Sequence, residues 1–184
     1  LKSILDELRY DGVTNGAVVV IENKTGKIRA LVGSSDFFSE ETSGQINGAL
    51  SKRCPGSALK PFTYAIAFDE GLYTPNMILS DVRCQYSGYA PVDYDKDFRG
   101  PVTVREALVN SLNVPAVEVL DKINFRELYI FLKQAGVPLS NLPEHYGLSL
   151  TLGSAEVSLL ELTNAYAMLG RLGEYKPYIF IEGA

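Results

Sequence analysis

The sequence predicts an α+β domain that is rich in helix and opens with a β-hairpin. Two observations predict it. In NGAVVVIENKTGKIRALVGS, two β-rich apolar segments, residues 17–22 and 27–33, flank a turn made of Asn23, Lys24, Thr25 and Gly26. Downstream, one helical pattern after another appears, each with its own start and stop residues.

Taken in order, LKSILDELRY reads as a helix already under way at Leu1, as if the chain were cut from something longer. After the hairpin, a polar, glycine-containing loop over 34–56 ends at Pro55-Gly56. A helix is expected over 57–70, with Pro61 in its first turn, where a missing N–H costs least, and Gly71 as its stop. Residues 72–100 read as irregular. TVREALVNSL carries a capping box, Thr103 with Glu106, and a break at Asn113 and Pro115 leads into PAVEVLDKI. NFRELYIFLKQAG repeats the cap pattern with Asn124 and Glu127 and stops at Gly136. The last helix, VSLLELTNAYAMLGRL, is expected to face the core with Leu159, Leu162, Ala165, Tyr166 and Leu169.

Composition excludes several classes. A net charge of −5 and a pI near 5.0 leave no basic stripe to neutralise phosphates, so no nucleic-acid partner is expected. The longest apolar run, AVVVI at 17–21, is far too short to cross a bilayer, and no signal peptide or initiator methionine is present. Cys54 and Cys84 lack metal-site spacing and there is a single histidine, so no metal centre is expected. The two cysteines are either a disulfide or two buried thiols. His145 lies in a Pro-flanked loop beside Tyr146 and Gly147, a structural setting rather than a catalytic one. A serine nucleophile in this chain would take its base from a lysine.

RCPGSALKPFTYAIAF offers such a pair. Ser57 and Lys60 are one helical turn apart and so share a face. A serine hydroxyl needs a base to become a nucleophile. A lysine at a helix N-terminus, if also buried, should have a lowered pKa and supply a neutral amine. NSLNVPA adds Ser111 and Asn113 at a junction between two helices, where a hydroxyl and an amide project from one short loop. The hydroxyl could relay a proton; the amide could hold a substrate carbonyl or the lysine.

SxxK followed by SxN belongs, with a later KTG, to the signature of penicillin-binding proteins and serine β-lactamases. The longer context PGSALKPF and YAPVDYDKDFRGPVTVREALVNSLNVPAVEVL resembles the transpeptidase domain of class A penicillin-binding proteins. VVVIENKTGKIRALVGS, GQINGAL and HYGLSLTLGSAEVSLLELTNAYAML are most similar to the type 1C branch. The resemblance covers roughly residues 16–173. It departs at Val92-Asp93, where a Pro-Asn pair is expected; that loop carries no catalytic motif. The only KTG, Lys24-Thr25-Gly26, precedes SxxK and falls at the hairpin tip, where Lys and Gly are turn residues, so it is a decoy.

The resemblance implies a serine penicillin-binding, β-lactamase-like transpeptidase fold, present over 1–184 as a partial domain. Of its five-stranded antiparallel sheet only the first two strands, the hairpin, are expected here, with the strands that carry the third motif lying beyond Ala184. It implies that Ser57 attacks the penultimate D-Ala carbonyl of a peptidoglycan stem peptide, with Lys60 as base. Ser111 would relay a proton to the leaving amine and Asn113 would orient Lys60 and the substrate amide. One oxyanion donor would be the Ser57 N–H and the other would come from the third-motif strand. β-Lactam antibiotics would acylate the same serine. No metal or organic cofactor is implied. The parent protein would carry a glycosyltransferase domain and a membrane anchor, and act on the extracytoplasmic face of the bacterial inner membrane. Residues 1–184 alone would be inactive, with a hairpin edge open to pairing with another chain. A β-lactamase or β-lactam sensor shares the same two motifs, and a non-catalytic cell-wall scaffold would share the fold without acylation.

Overall fold

The computed structural model describes residues 1–86 and 89–180. It divides into two compact units. The first holds Leu1–Arg53, Gln134–Pro138 and Val157–Ala184; the second holds Cys54–Lys133 and Leu139–Glu156.

In the first unit a short helix, α1 (Lys2–Leu8), is followed by β1 (Val18–Ile21) and β2 (Ile28–Val32), paired antiparallel with Val18 opposite Val32. The turn between them closes through Gly26 N donating to Glu22 O at 2.8 Å. Gly26 sits at φ +77°, and a Cβ there would lie 2.7 Å from the Pro177 carbonyl oxygen, so only glycine fits. The predicted hairpin and its turn are therefore both present. Ile179 adds a single parallel bridge at Lys27, on the β2 side of this ladder.

The helix α7 (Leu159–Gly170) packs on β1. Its capping box is complete: Ser158 Oγ accepts from Glu161 N at 3.2 Å, and Glu161 Oε2 accepts from Ser158 N at 2.8 Å. Lys52 Nζ donates to the same carboxylate at 2.6 Å. Ser158→Ala leaves the N–H of Glu161 without its acceptor, and should cost about 0.5–2 kcal/mol of stability, read as a lower denaturation midpoint. The buried face of α7 differs from the expected one. Leu160, Asn164, Ala165, Ala167 and Met168 are buried, whereas Tyr166 is exposed and Leu159, Leu162 and Leu169 are half-buried. The helix is apolar on two sides, so periodicity alone could not choose between them.

The second unit is built around α4 (Asn113–Ile123), which buries Val114, Ala116, Val117, Val119 and Leu120. It packs against α2 (Lys60–Asp69), against β3 (Ile78–Asp81) and against a 3-10 turn over Gly147–Leu152. β3 pairs antiparallel with β4 (Gly100–Thr103); β3 lies inside the stretch 72–100 expected to be irregular, and β4 begins at its last residue. Four residues each, with Pro101 and Gly100 in one of them and a partner about twenty residues away, they carry almost no local strand signal. The Thr103–Glu106 capping box opens α3 (Val104–Val109) as expected. The Asn124 side chain accepts from Arg126 N at 3.0 Å at the start of α5 (Phe125–Gln134), so it caps the helix without the expected box. A four-residue helix, α6 (Pro143–Tyr146), completes the unit. Cys54 and Cys84 are free thiols, Cys54 exposed and Cys84 half-buried, so they are neither a disulfide nor the expected pair of buried thiols.

Candidate active site

The chain enters the site through Pro55-Gly56, but not directly into an α-helix. Gly56–Leu59 form a 3-10 turn, and α2 begins only at Lys60, with Pro61 in its first turn. This moves the helix start three residues past the expected one. A 3-10 turn has three residues per turn, so Ser57 and Lys60 are stacked more directly than in an α-helix. Leu59 is fully buried and anchors the turn, while Ser57 is exposed. Thr63 and Thr151 share a buried 2.7 Å hydrogen bond that ties α2 to the turn Gly147–Leu152.

Lys60 is 1% exposed, which is exceptional for a lysine. Its Nζ donates to Asn113 Oδ1 at 2.7 Å, to Ser111 Oγ at 3.2 Å and to the Ser111 carbonyl oxygen. Three acceptors thus meet the three protons of an ammonium. Burial nevertheless pushes the pKa down to about 8, against the pull of the Asp93 carboxylate in the opposite direction. At pH 7 about one amine in ten would be neutral, compared with roughly one in three thousand for an ordinary lysine. When Nζ is neutral its lone pair can take a proton, and the contact with Ser111 Oγ can then run from hydroxyl to amine.

Ser111 reaches Lys60 because its backbone is left-handed, at φ +56°. Serine seldom adopts this conformation, and such strain, about 1–3 kcal/mol, persists where surrounding structure over-determines it. Asn113 does not cap α4; that position belongs to Leu112, and Asn113 is the first residue of the helix. Its amide is oriented from both ends, with Oδ1 toward Lys60 and Nδ2 donating to the Val92 carbonyl at 2.8 Å.

Lys60, Ser111 and Asn113 therefore meet at one point. Ser57 lies three residues before Lys60, but no hydrogen bond joins its hydroxyl to Lys60 among the described residues. The transpeptidase family, described as the penicillin binding protein transpeptidase domain, matches residues 16–184. The chain belongs to this family. Among curated relatives it is 39% identical over 160 residues to penicillin-binding protein 1C of Escherichia coli strain K12, covering 86% of this chain and 21% of that protein. It is 38% identical over 170 residues to penicillin-binding protein 1A of Aquifex aeolicus, covering 89% of this chain and 22% of that one. A crystal structure of penicillin-binding protein 1A from Haemophilus influenzae superposes with a TM-score of 0.76 at 28% identity, over 90% of this chain and 25% of that one. The chain thus spans about a fifth of the length of the curated relatives it matches.

The helix-rich architecture with small antiparallel sheets agrees with the α+β penicillin-binding fold expected from the sequence. Lys24-Thr25-Gly26 occupies the hairpin turn in the first unit, as its position before SxxK implied. His145 lies in α6, edge-on to the Tyr146 ring. The loop at 92–93 carries no catalytic motif, yet it supports the site directly. Asp93 is buried, its Oδ1 accepts from Asn113 N and from Val114 N at 3.3 Å, and Val92 holds the Asn113 amide. Nothing in the spacing signals this, because an acid twenty residues upstream of a helix start reads as a solvated loop charge.

Proposed function

We propose that this chain carries the acylation centre of a peptidoglycan D,D-transpeptidase, with residues 1–184 as part of one penicillin-binding domain. The observation that carries the reading is Lys60: a lysine 1% exposed, lowered to about 8, gripped by Ser111 and Asn113 one 3-10 turn from an exposed serine. In the resting state Lys60 is held ready by those acceptors. Neutral Nζ takes the Ser57 proton as Oγ attacks the penultimate D-Ala carbonyl of a stem peptide. The C–N bond then breaks, and the proton passes from Nζ through Ser111 Oγ to the leaving D-Ala amine. An amine of a neighbouring stem peptide attacks the acyl-Ser57 ester, giving the cross-link and restoring the hydroxyl. A β-lactam carbonyl enters the first step in the same way.

The proposal extends to the rest of the protein: a peptidoglycan glycosyltransferase activity, a membrane anchor and a location on the extracytoplasmic face of the inner membrane. Among the described residues no helix is long and apolar enough to cross a membrane, so the anchor would lie elsewhere. Residues 1–184 expressed alone should label weakly with a penicillin, because their only Lys-Thr-Gly is at the hairpin turn; a missing oxyanion donor typically costs about 10²–10³ in rate. The hairpin edge would pair with further strands.

The test is acylation of the full-length protein by a fluorescent penicillin, with the labelled peptide identified by mass spectrometry. Wild type should carry the adduct on Ser57, and Ser57→Ala should carry none. An adduct on Ser111, or undiminished labelling of Ser57→Ala, would refute the assignment. Slow release of the acyl group separates a transpeptidase from a β-lactamase.

A further inference from the structure

Beneath the Ser111–Asn113 loop lie two aspartates with an unusual deficit. Asp81, at the end of β3, is fully buried, and Asp93 is 3% exposed. Asp81 Oδ2 accepts from Arg99 N at 2.8 Å, and Asp93 Oδ1 accepts from the first two amides of α4. That leaves Asp81 Oδ1 and Asp93 Oδ2 buried without a hydrogen-bond partner. The two carboxyls face each other, and burial first, then the neighbouring Asp93, hold the Asp81 pKa above the ordinary value. The Arg99 guanidinium does not resolve the deficit: it stands 3.7 Å from Asp93 Oδ2 and 4.0 Å from Asp81 Oδ2, and makes its 2.6 Å contact with the more exposed Asp95.

We propose that Asp81 and Asp93 hold one proton between them, and that the pair is a positioning element for Lys60. A proton on Asp81 Oδ1, donated to Asp93 Oδ2, satisfies both orphan oxygens at once. Two amides and the positive end of the α4 helix dipole point at Asp93 Oδ1. Asp81, which meets only one backbone amide, is the member that keeps the proton. The pair then pins the first turn of α4, and with it the Asn113 amide that holds Lys60. This rests on the assignment of Ser57 and Lys60 above, and adds to it residues that touch no reacting atom.

The charged and titratable groups around the pair are Arg99 on the strand-flanking loop, Lys60 and Tyr64 on α2, and Asp95 beyond Arg99. Glu118 on α4 is engaged with Ser80 N at 3.1 Å. Of these, Lys60 senses the Asp93 charge directly, since that charge raises its pKa. Asp93→Asn therefore has a signature that lost packing would not give. It keeps an acceptor for the α4 amides and offers a permanent N–H to an ionised Asp81, and it removes the anion that keeps Lys60 protonated.

The experiment compares the full-length wild type with Asp93→Ala and Asp93→Asn. With a fluorescent penicillin, Asp93→Ala should acylate about 10–100-fold more slowly, as expected when a buried acceptor is removed. Asp93→Asn should recover most of that loss, with the rising limb of its rate–pH profile moved to lower pH by up to about one unit. The melting temperature of Asp93→Asn relative to wild type should also grow with pH. The folded wild type holds its proton above the ordinary Asp value, so it loses stability as pH rises from about 4 through the raised pKa, whereas the amide does not. Wild-type acylation in Asp93→Ala would overturn the positioning role. A melting difference that is flat with pH would overturn the shared proton. Absence of any Ser57 adduct on the wild type would instead overturn the catalytic assignment and the positioning role with it; the melting comparison still decides the proton on its own.

Discussion

Lys60→Met should slow acylation of Ser57 by about 10²–10⁴, the usual contribution of a positioned general base. Methionine matches the length of the buried stem but cannot take the serine proton. The fall should come with little change in melting temperature, for two opposing reasons. The pKa lowered from 10.5 to about 8 sets the cost of burying the ammonium on the order of 3 kcal/mol, at about 1.4 kcal/mol per unit. That cost is fully present below about pH 8 and is relieved as pH rises from there toward 10.5, because only in that window does the unfolded chain bind more protons than the folded one. Lys60→Met removes the cost. It also strands the Ser111 carbonyl and Asn113 Oδ1, at about 1–3 kcal/mol each. The wild-type rate of acylation should climb with pH and level off above about 8, the value at which half of the amine is neutral. Labelling at different pH values and a thermal melt check both halves. A Lys60→Met protein that acylates at the wild-type rate would remove lysine from the mechanism.

The parts of this site that the sequence discloses are those coded by short spacing. Ser57 with Lys60, and Ser111 with Asn113, are each separated by one turn or less, so residue identity alone limits where their side chains can go. The capping pair Thr103–Glu106 is legible for the same reason, as is Gly26 in the hairpin turn. What stays hidden is coded by tertiary contact. β3 and β4 gain their strand character only from each other, and Asp93 gains its importance only from the end of a helix twenty residues on. The left-handed backbone of Ser111 is equally silent in the sequence, since it is the surrounding fold and not serine that favours it. The 3-10 geometry at Ser57 is a milder case: Pro61 fixes where a helix can run freely, but not that the turn before it tightens.

Gly153→Ala should be among the most damaging single changes in the second unit, although Gly153 has no side chain to bring to the site. It ends the turn Gly147–Leu152 at φ +83°, a conformation that costs an L-residue about 1–2 kcal/mol. A Cβ at this position would lie 2.2 Å from Gly56 N, 2.5 Å from Gly56 Cα and 2.5 Å from Gly56 O. These are backbone atoms, so no rotamer change can make room. Either this turn or the Gly56–Leu59 turn must move, and the second carries Ser57 and leads into Lys60. Strain and overlap together should cost about 2–5 kcal/mol. Gly12→Ala is the matching control: Gly12 has a similar left-handed backbone, φ +79° and ψ +10° against +83° and +32°, but open space around its missing side chain, so only the strain remains. Thermal melts should rank the two variants in that order. In whatever fraction of Gly153→Ala folds, Ser57 acylation should fall further than in Gly12→Ala, because only the former displaces the turn that presents the serine. Equal melting temperatures and equal acylation would mean that the two turns are not in contact through Gly56, and the placement of Ser57 would need another support.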